Sequence, residues 1–219
     1  KALPIVTILT LAATGSEMNS NAVISNPETN EKLGVGSSHL RPHVSILDPE
    51  YTYSLPTIQT AAGTADIMSH VFEQYFDSTP GTYIQDKFCE GILKTCIKYC
   101  PIALQSPTDY EARSNIMWCA TLGLNRVTGL SKTQDWEVHM IEHQLGAYTD
   151  CPHGLGLAVI SMPYYRYIYK DGIDKFVRFA KNVWGVDADG KTKDEIALAG
   201  IDCLENFAKE LGIPLTLRE

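Results

Sequence analysis

The sequence predicts a mostly helical α+β fold, in which a β-rich segment precedes a helical domain. Short apolar runs that are rich in β-branched residues concentrate in residues 1–54, whereas the apolar residues of 55–219 recur with the 3.6-residue period of helices. The chain has 219 residues, of which 44% are hydrophobic and 20% charged, so it can bury an extensive core. We therefore expect two domains, residues 1–54 and residues 55–219.

The β-rich segment opens with an apolar run at residues 4–10, whose unbroken pattern is typical of a strand covered on both faces. The small and hydroxyl-bearing residues of AATGSEMN then predict a turn with free backbone N–H groups. Residues 22–25 and 32–35 flank the turn sequence NPETN and predict a hairpin, and residues 44–47 predict one more short strand.

Helical periodicity predicts six helices after residue 55, at residues 57–77, 84–99, 110–124, 135–148, 173–184 and 192–211. Pro101 is expected to end the second helix, because proline lacks the N–H that a helix interior requires. Thr192 and Glu195 have the spacing of a capping box, and Gly212 followed by Pro214 is a typical helix stop.

Composition excludes several classes of function. A formal charge of −8 argues against a nucleic-acid surface, and no apolar run reaches the length of a membrane span. The six cysteines show no CxxC pair, which favours reduced core thiols and a cytoplasmic protein. The first residues are apolar after Lys1, as in a signal peptide, but Pro4 and the β-branched residues favour a strand entered in mid-domain. We therefore expect the sequence to start partway through a longer protein.

Two segments carry candidate metal ligands. Asp66 and His70 lie four residues apart in one predicted helix, and His139 and His143 lie four apart in another, so each pair lies on one helix face. His153 follows closely, behind a proline. One carboxylate and several imidazoles suit a divalent transition metal, although an Asp–His hydrogen bond or a solvent-facing stripe would also explain the first pair. These five candidates are one more than the four ligands of a tetrahedral site. One histidine could therefore carry a proton instead of binding the metal, and the spacing does not indicate which one.

Five motifs follow one another in an order that resembles one known family. LTLAATGSE, ILDPEYTYSLP, TADIMSHVFEQY, HMIEHQLGA and PHGLGLA are similar to motifs of the iron-containing (group III) alcohol dehydrogenases, with the bacterial butanol dehydrogenase branch as the nearest match. The resemblance implies the C-terminal remnant of a Rossmann-like nucleotide-binding α/β domain, followed by an all-helical metal-binding domain of the dehydroquinate synthase-like fold. It also implies that the chain is truncated at both ends, with the family's GGGS phosphate loop before its first residue.

The resemblance assigns roles to individual residues. It implies four ligands for Fe²⁺, with Zn²⁺ as an alternative: Asp66, His70, His139 and His153. His143 matches a histidine beside the nicotinamide that passes a proton between the active site and solvent. The positions that match contacts to NADH or NADPH are Thr10, Thr14, Asn19, Lys32, Tyr51 and His143.

The implied reaction is hydride transfer between NAD(P)H and a short-chain aldehyde such as butanal, with the metal polarising the carbonyl. We expect a homodimer that acts on this small molecule and has neither a nucleic acid nor a membrane as a partner. Two alternatives remain open. One is another enzyme of the superfamily, a glycerol-type dehydrogenase or a dehydroquinate synthase-like lyase. The other is a metal-binding fragment without catalytic activity of its own.

Overall fold

A computed structural model describes residues 3–218 and contains four short strands followed by seven α-helices. The strands are β1 (Val6–Ile8), β2 (Asn21–Asn26), β3 (Glu31–Gly36) and β4 (Val44–Ile46). The helices are α1 (Thr57–Tyr75), α2 (Tyr83–Gln105), α3 (Tyr110–Gly123), α4 (Glu137–Thr149), α5 (His153–Ile168), α6 (Ile173–Val183) and α7 (Lys193–Glu210). The predicted mostly helical fold class is confirmed, while the division into two domains stays a prediction.

The strands form two separate pairs. β2 and β3 make the predicted antiparallel hairpin, in which Asn21 faces Gly36 and Asn26 faces Glu31. β1 and β4 pair in parallel. The expectation that the first strand is covered on both faces is wrong for the described residues: Val6 and Ile8, which share one face of β1, are 64% and 56% exposed.

α1 lies at the centre of the helical part and is buried along most of its length. Phe72 and Phe76, near its C-terminal end, meet aromatic residues of α5 and α6. The Phe76 ring stacks on Phe176 with centroids 4.1 Å apart, and Phe72 contacts Phe179 edge-on at 5.5 Å. Tyr165 of α5 packs against both phenylalanines of α1. This aromatic cluster buries large apolar surfaces and fixes how the helices lie around α1.

Two helices differ from the expectation. α2 does not end at Pro101 but continues to Gln105, because Cys100 and Ala103 are fully buried and their packing holds the last turns in place. The helix ends at Ser106, which precedes Pro107 and is therefore biased away from helical backbone angles. α5 was not predicted, since Pro163 and an almost wholly apolar sequence hide its period. Burial against α1 makes this segment helical.

The end of the chain follows the prediction closely. The side chain of Thr192 accepts a hydrogen bond from the Glu195 backbone N–H at 3.3 Å, and Glu195 accepts one from the Thr192 N–H at 2.8 Å, which completes the capping box. Gly212, just beyond α7, has a φ of +72°, a conformation that glycine adopts without strain. Among the helices of residues 3–218, none is both long and apolar enough to cross a lipid bilayer.

Candidate metal centre

Three helices bring predicted ligands together: Asp66, His139 and His153 have ligand atoms within 4.8 Å of one another, and His70 lies next to Asp66. Asp66 and His70 lie on one face of α1, one turn apart, and both are buried. His139 is the third residue of α4, and His153 is the first residue of α5. The loop between α4 and α5 is short because Asp150 adopts a left-handed conformation that ends α4, and Pro152 then leads directly into α5. The two histidines consequently enter the site from helices that approach α1 side by side.

The Oδ1 atom of Asp66 is the point on which the three imidazoles converge. It lies 3.5 Å from Nδ1 of His70, 3.8 Å from Nε2 of His139 and 3.6 Å from Nε2 of His153. Metal–ligand bonds of about 2.1 Å place the ligand atoms of a tetrahedral site roughly 3.4 Å apart. Asp66 Oδ1, His70 Nδ1 and His139 Nε2 are all buried without a hydrogen-bond partner. Burial of unpaired polar atoms is costly, so these atoms fit a bound cation.

Two buried glutamates hold the far sides of the imidazoles. Glu73 of α1 contacts Nδ1 of His139, and Glu142 of α4 contacts Nδ1 of His153. Lys32 reaches Glu142 from the β2–β3 hairpin, with Nζ 3.0 and 3.2 Å from the two carboxylate oxygens. A carboxylate on the second ring nitrogen fixes the orientation of a metal-binding histidine and leaves its other nitrogen free. The sequence alone predicts no role for either glutamate, because each contacts a histidine on another helix.

Electrostatics shifts the pKa values of His70 and His139 in opposite directions. Burial would lower the pKa of His139, but the neighbouring carboxylates of Asp66 and Glu73 raise it to about 9. Burial dominates at His70 and lowers its pKa to about 4, although the Asp66 charge opposes that shift. Burial would also raise the pKa of Asp66, but the charges of the surrounding imidazoles, that of His70 first, lower it. A cation that binds to Nε2 of His139 therefore displaces a proton.

His143 lies beside the cluster rather than in it. Its ring centroid is 5.7 Å from that of His153 and 6.4 Å from that of His139, one turn back along α4. Burial and then the charges of His153 and Lys32 lower the pKa of His143 to about 4, so its imidazole is neutral at pH 7. In the described part of the chain, His139 and His153 each place a nitrogen within 4 Å of Asp66 Oδ1, whereas His143 groups with Glu142 and His153 instead.

A cavity of about 650 Å³ opens next to the cluster, between the hairpin, the AATGSEMN turn and α4. Thr14, Asn19, Lys32 and His143, four of the residues predicted to contact the cofactor, line it together with three of the candidate metal ligands. Thr10 and Tyr51 are not among the lining residues; both are exposed. Asn19 stabilises the turn, since its side-chain amide donates to the Thr14 carbonyl at 2.9 Å.

Comparison with known proteins identifies the family. Residues 60–219 match the model of the Fe-containing alcohol dehydrogenase family, C-terminal, and residues 1–49 match that of iron-containing alcohol dehydrogenase. The chain is 53% identical to NADH-dependent butanol dehydrogenase A of Clostridium acetobutylicum and 39% identical to NADPH-dependent aldehyde reductase YqhD of Escherichia coli. Each alignment covers the whole chain and 56% of the relative, so the chain spans just over half the length of these proteins.

Solved structures lead to the same family. The chain superposes on NADH-dependent butanol dehydrogenase A of Thermotoga maritima with a TM-score of 0.94 at 42% identity, covering all of this chain and 54% of that one. It superposes on YqhD of Escherichia coli K-12 with a TM-score of 0.97 at 38% identity, covering all of this chain and 55% of that one. Together with the family models, these similarities show that the chain belongs to the iron-containing alcohol dehydrogenases.

Proposed function

We propose that the protein containing this chain is a metal-dependent alcohol dehydrogenase that also works as an aldehyde reductase, with NADH or NADPH as cofactor and a short-chain aldehyde such as butanal as substrate. The observation that carries the proposal is the convergence of one carboxylate oxygen and three imidazole nitrogens beside a 650 Å³ cavity. The relatives named above include both butanol dehydrogenases and an aldehyde reductase.

Charge supports a divalent ion at this point. With the imidazoles neutral, as metal ligation requires, the buried carboxylates of Asp66, Glu73 and Glu142 carry a formal charge of −3 and Lys32 contributes +1, which leaves −2. A buried excess of negative charge is unfavourable without a counter-ion. A divalent cation held by Asp66, His70, His139 and His153 balances it. We propose Fe²⁺, as the family name states; one carboxylate and three imidazoles also suit Zn²⁺. When bound, the metal supplies Lewis acidity that polarises a carbonyl group.

The lining of the cavity supports a nicotinamide site on the side away from α1. The turn that contains Thr14 and Asn19 offers small polar groups, and the hairpin adds Lys32. When bound, the cofactor supplies the hydride. The ion pair of Lys32 with Glu142 suggests that this lysine also stabilises the metal side of the cavity. Our expectation that Thr10 and Tyr51 contact the cofactor stays a prediction.

His143 has the properties of a proton relay. Because its pKa is lowered to about 4, its imidazole is neutral at pH 7 and carries one N–H and one free lone pair. Such a ring can give one proton and take up another without staying charged. It lines the cavity within one turn of His139, so we propose that it passes a proton between the reacting oxygen and solvent.

The test is anaerobic metal analysis of the whole protein, paired with butanal reduction by NADH and by NADPH and with glycerol oxidation as the competing activity. We expect one divalent metal ion per chain and turnover of butanal. Turnover of glycerol in preference to butanal would instead favour a glycerol-type dehydrogenase, and metal binding without nicotinamide-dependent turnover would favour the non-catalytic alternative.

We also propose a cytoplasmic homodimer. All six cysteines are free thiols in the structure, as a reducing compartment requires. Light scattering coupled to size-exclusion chromatography measures the oligomeric state directly, and a monomer at micromolar concentration would contradict the second part of the proposal.

A further inference from the structure

Glu73 connects α1 to the start of α4 through a single buried carboxylate. The residue is 3% exposed and lies one turn beyond His70. Its Oε1 atom accepts hydrogen bonds from the backbone N–H groups of Val138 at 2.7 Å and of His139 at 3.3 Å. Its Oε2 atom contacts the Nδ1 atom of the His139 ring. One side chain therefore holds both the backbone and the imidazole of the same candidate ligand.

α4 needs this contact because its own cap reaches only one N–H group: the Asp135 side chain accepts a hydrogen bond from the Glu137 N–H at 3.0 Å. Trp136, at the N-cap position, makes no side-chain hydrogen bond to the first turn. The first N–H groups of a helix have no partner within the helix, and leaving them buried and unpaired is costly. Glu73 provides the acceptor from a neighbouring helix, and its backbone carbonyl also accepts from the Asp135 N–H at 3.1 Å. The start of α4 is thus fixed relative to the helix that carries Asp66 and His70.

The second oxygen of Glu73 determines which ring nitrogen of His139 is free. A carboxylate accepts hydrogen bonds and cannot donate them, so it selects the tautomer whose proton is on Nδ1. The lone pair is then on Nε2, the atom that faces Asp66 Oδ1 at 3.8 Å and has no hydrogen-bond partner. This is the tautomer that can bind a metal ion at that point.

We propose that Glu73 is a positioning residue of the metal centre, which caps α4 with one carboxylate oxygen and selects the metal-binding tautomer of His139 with the other. The inference rests on the proposed metal site. Both tasks require a hydrogen-bond acceptor. A substitution that leaves only one acceptor atom therefore distinguishes Glu73 from a buried glutamate with a purely structural role.

A glutamine at position 73 cannot perform both tasks, although it has nearly the same size and shape. If its amide oxygen faces the backbone N–H groups, its NH₂ group faces Nδ1 of His139 and favours the tautomer with a proton on Nε2. If the amide is turned round, its NH₂ group faces the N–H groups of Val138 and His139, and these two N–H groups lose their acceptor. Either arrangement disturbs the metal ligand.

The experiment measures Zn²⁺ affinity by competition with a chromophoric chelator in the wild-type protein, in Glu73→Gln and in Glu90→Gln. Glu90 is the matched control, since it is a buried glutamate that also accepts several hydrogen bonds but lies in another part of the structure, near Arg178 and Asn182. We expect Glu73→Gln to bind Zn²⁺ about 10–100-fold more weakly than the wild type, as is typical of lost carboxylate–histidine contacts, and Glu90→Gln to bind it with unchanged affinity.

A second measurement reports the protonation of the His139 ring directly. In ¹⁵N-labelled, Zn²⁺-loaded wild-type protein, NMR should show the His139 ring protonated on Nδ1, and this signal should weaken or vanish in Glu73→Gln. Equal Zn²⁺ affinity of Glu73→Gln and the wild type, or a His139 ring without a proton on Nδ1, would overturn the inference. Failure of the wild type itself to bind Zn²⁺ would instead contradict the proposed metal site, so the two failures are distinguishable. Circular dichroism of each variant shows whether the affinities refer to folded protein.

Discussion

Replacement of Gly154 by alanine tests how the start of α5 is positioned. Gly154 follows His153 directly, in the first turn of α5, and packs against the backbone of α1 at Ala62. A Cβ atom added at Gly154 would lie 2.7 Å from the carbonyl carbon of Ala62 and closer still to the carbonyl oxygen. Carbon atoms in van der Waals contact are normally about 3.5–4.0 Å apart. The two helices must therefore separate locally by about 1 Å.

The expected cost follows from the kind of neighbour that is displaced. Overpacking costs about 1–3 kcal/mol when side chains can move aside. Here the neighbour is the backbone of the central helix, which cannot move aside, so we expect a cost at the upper end of this range, about 3 kcal/mol. Alanine regains about 1 kcal/mol as the better helix former. The net loss of about 2 kcal/mol in the free energy of unfolding corresponds to a decrease in Tm of about 4–8 °C for a chain of this size.

The matched control is Gly91→Ala in α2. A Cβ atom at Gly91 would meet nothing within 4 Å, and the residue lies on the exposed side of its helix. This variant should gain up to about 1 kcal/mol. Thermal unfolding followed by circular dichroism, in the presence of a chelator, measures both changes without a contribution from bound metal. A Tm of Gly154→Ala at or above that of the wild type would refute the close-packing argument. The same variant should also bind Zn²⁺ more weakly, since His153 moves with the helix.

Two further predictions concern the metal centre, and a third concerns the buried Glu90. His139→Ala should lose the metal ion, whereas His143→Ala should keep it and lose turnover; elemental analysis and butanal reduction distinguish the two, and the opposite pattern would reverse the assigned roles. Metal removal by a chelator should lower the stability of the wild type by about 4 kcal/mol if the ion was present at a thousand times its Kd, which calorimetry measures. Burial would raise the pKa of Glu90, but hydrogen bonds from Asn182, Lys87 and Arg178 lower it to about 2, from 4.5. Glu90 therefore stabilises the fold above pH 4.5, and this contribution is lost as the pH falls from 4.5 towards 2. With solvent screening it amounts to about 2 kcal/mol. Urea unfolding at a series of pH values should show that the free energy of unfolding of Glu90→Gln falls less steeply in acid than that of the wild type.

The centre also shows how a site can be partly organised before its metal binds. The Nδ1 atoms of His139 and His153 each contact a buried carboxylate, and Asp66 lies on the central helix of the fold. His70 is one turn further along the same helix and is equally buried. Because helix packing rather than flexible loops sets these positions, the ligands need little rearrangement when an ion enters.

Local sequence alone determined a large part of this protein. The 3.6-residue period located six of the seven helices, the NPETN turn located the hairpin, and Thr192 with Glu195 marked the start of α7. These features depend on neighbouring residues, whose interactions are fixed by chain geometry. The four-residue spacing of Asp66 and His70 likewise placed both side chains on one helix face, and the ordered motifs indicated the family.

Only the tertiary structure decided which of the candidate groups meet. Residue 66 is separated from residues 139 and 153 by a long stretch of chain, so no spacing rule predicts that Nε2 of His139 and Nε2 of His153 each lie within 4 Å of Asp66 Oδ1. α5 was hidden by Pro163 and becomes helical because α1 buries its apolar side chains. The partners of Glu73 and Glu142 also follow from packing, since α4 presents its unpaired N–H groups and the His139 ring to a carboxylate on α1. Long-range burial, which local sequence does not encode, thus brought Asp66, His139 and His153 together with His70 next to Asp66, while the assignment of four ligands and of His143 as the proton carrier stays a prediction.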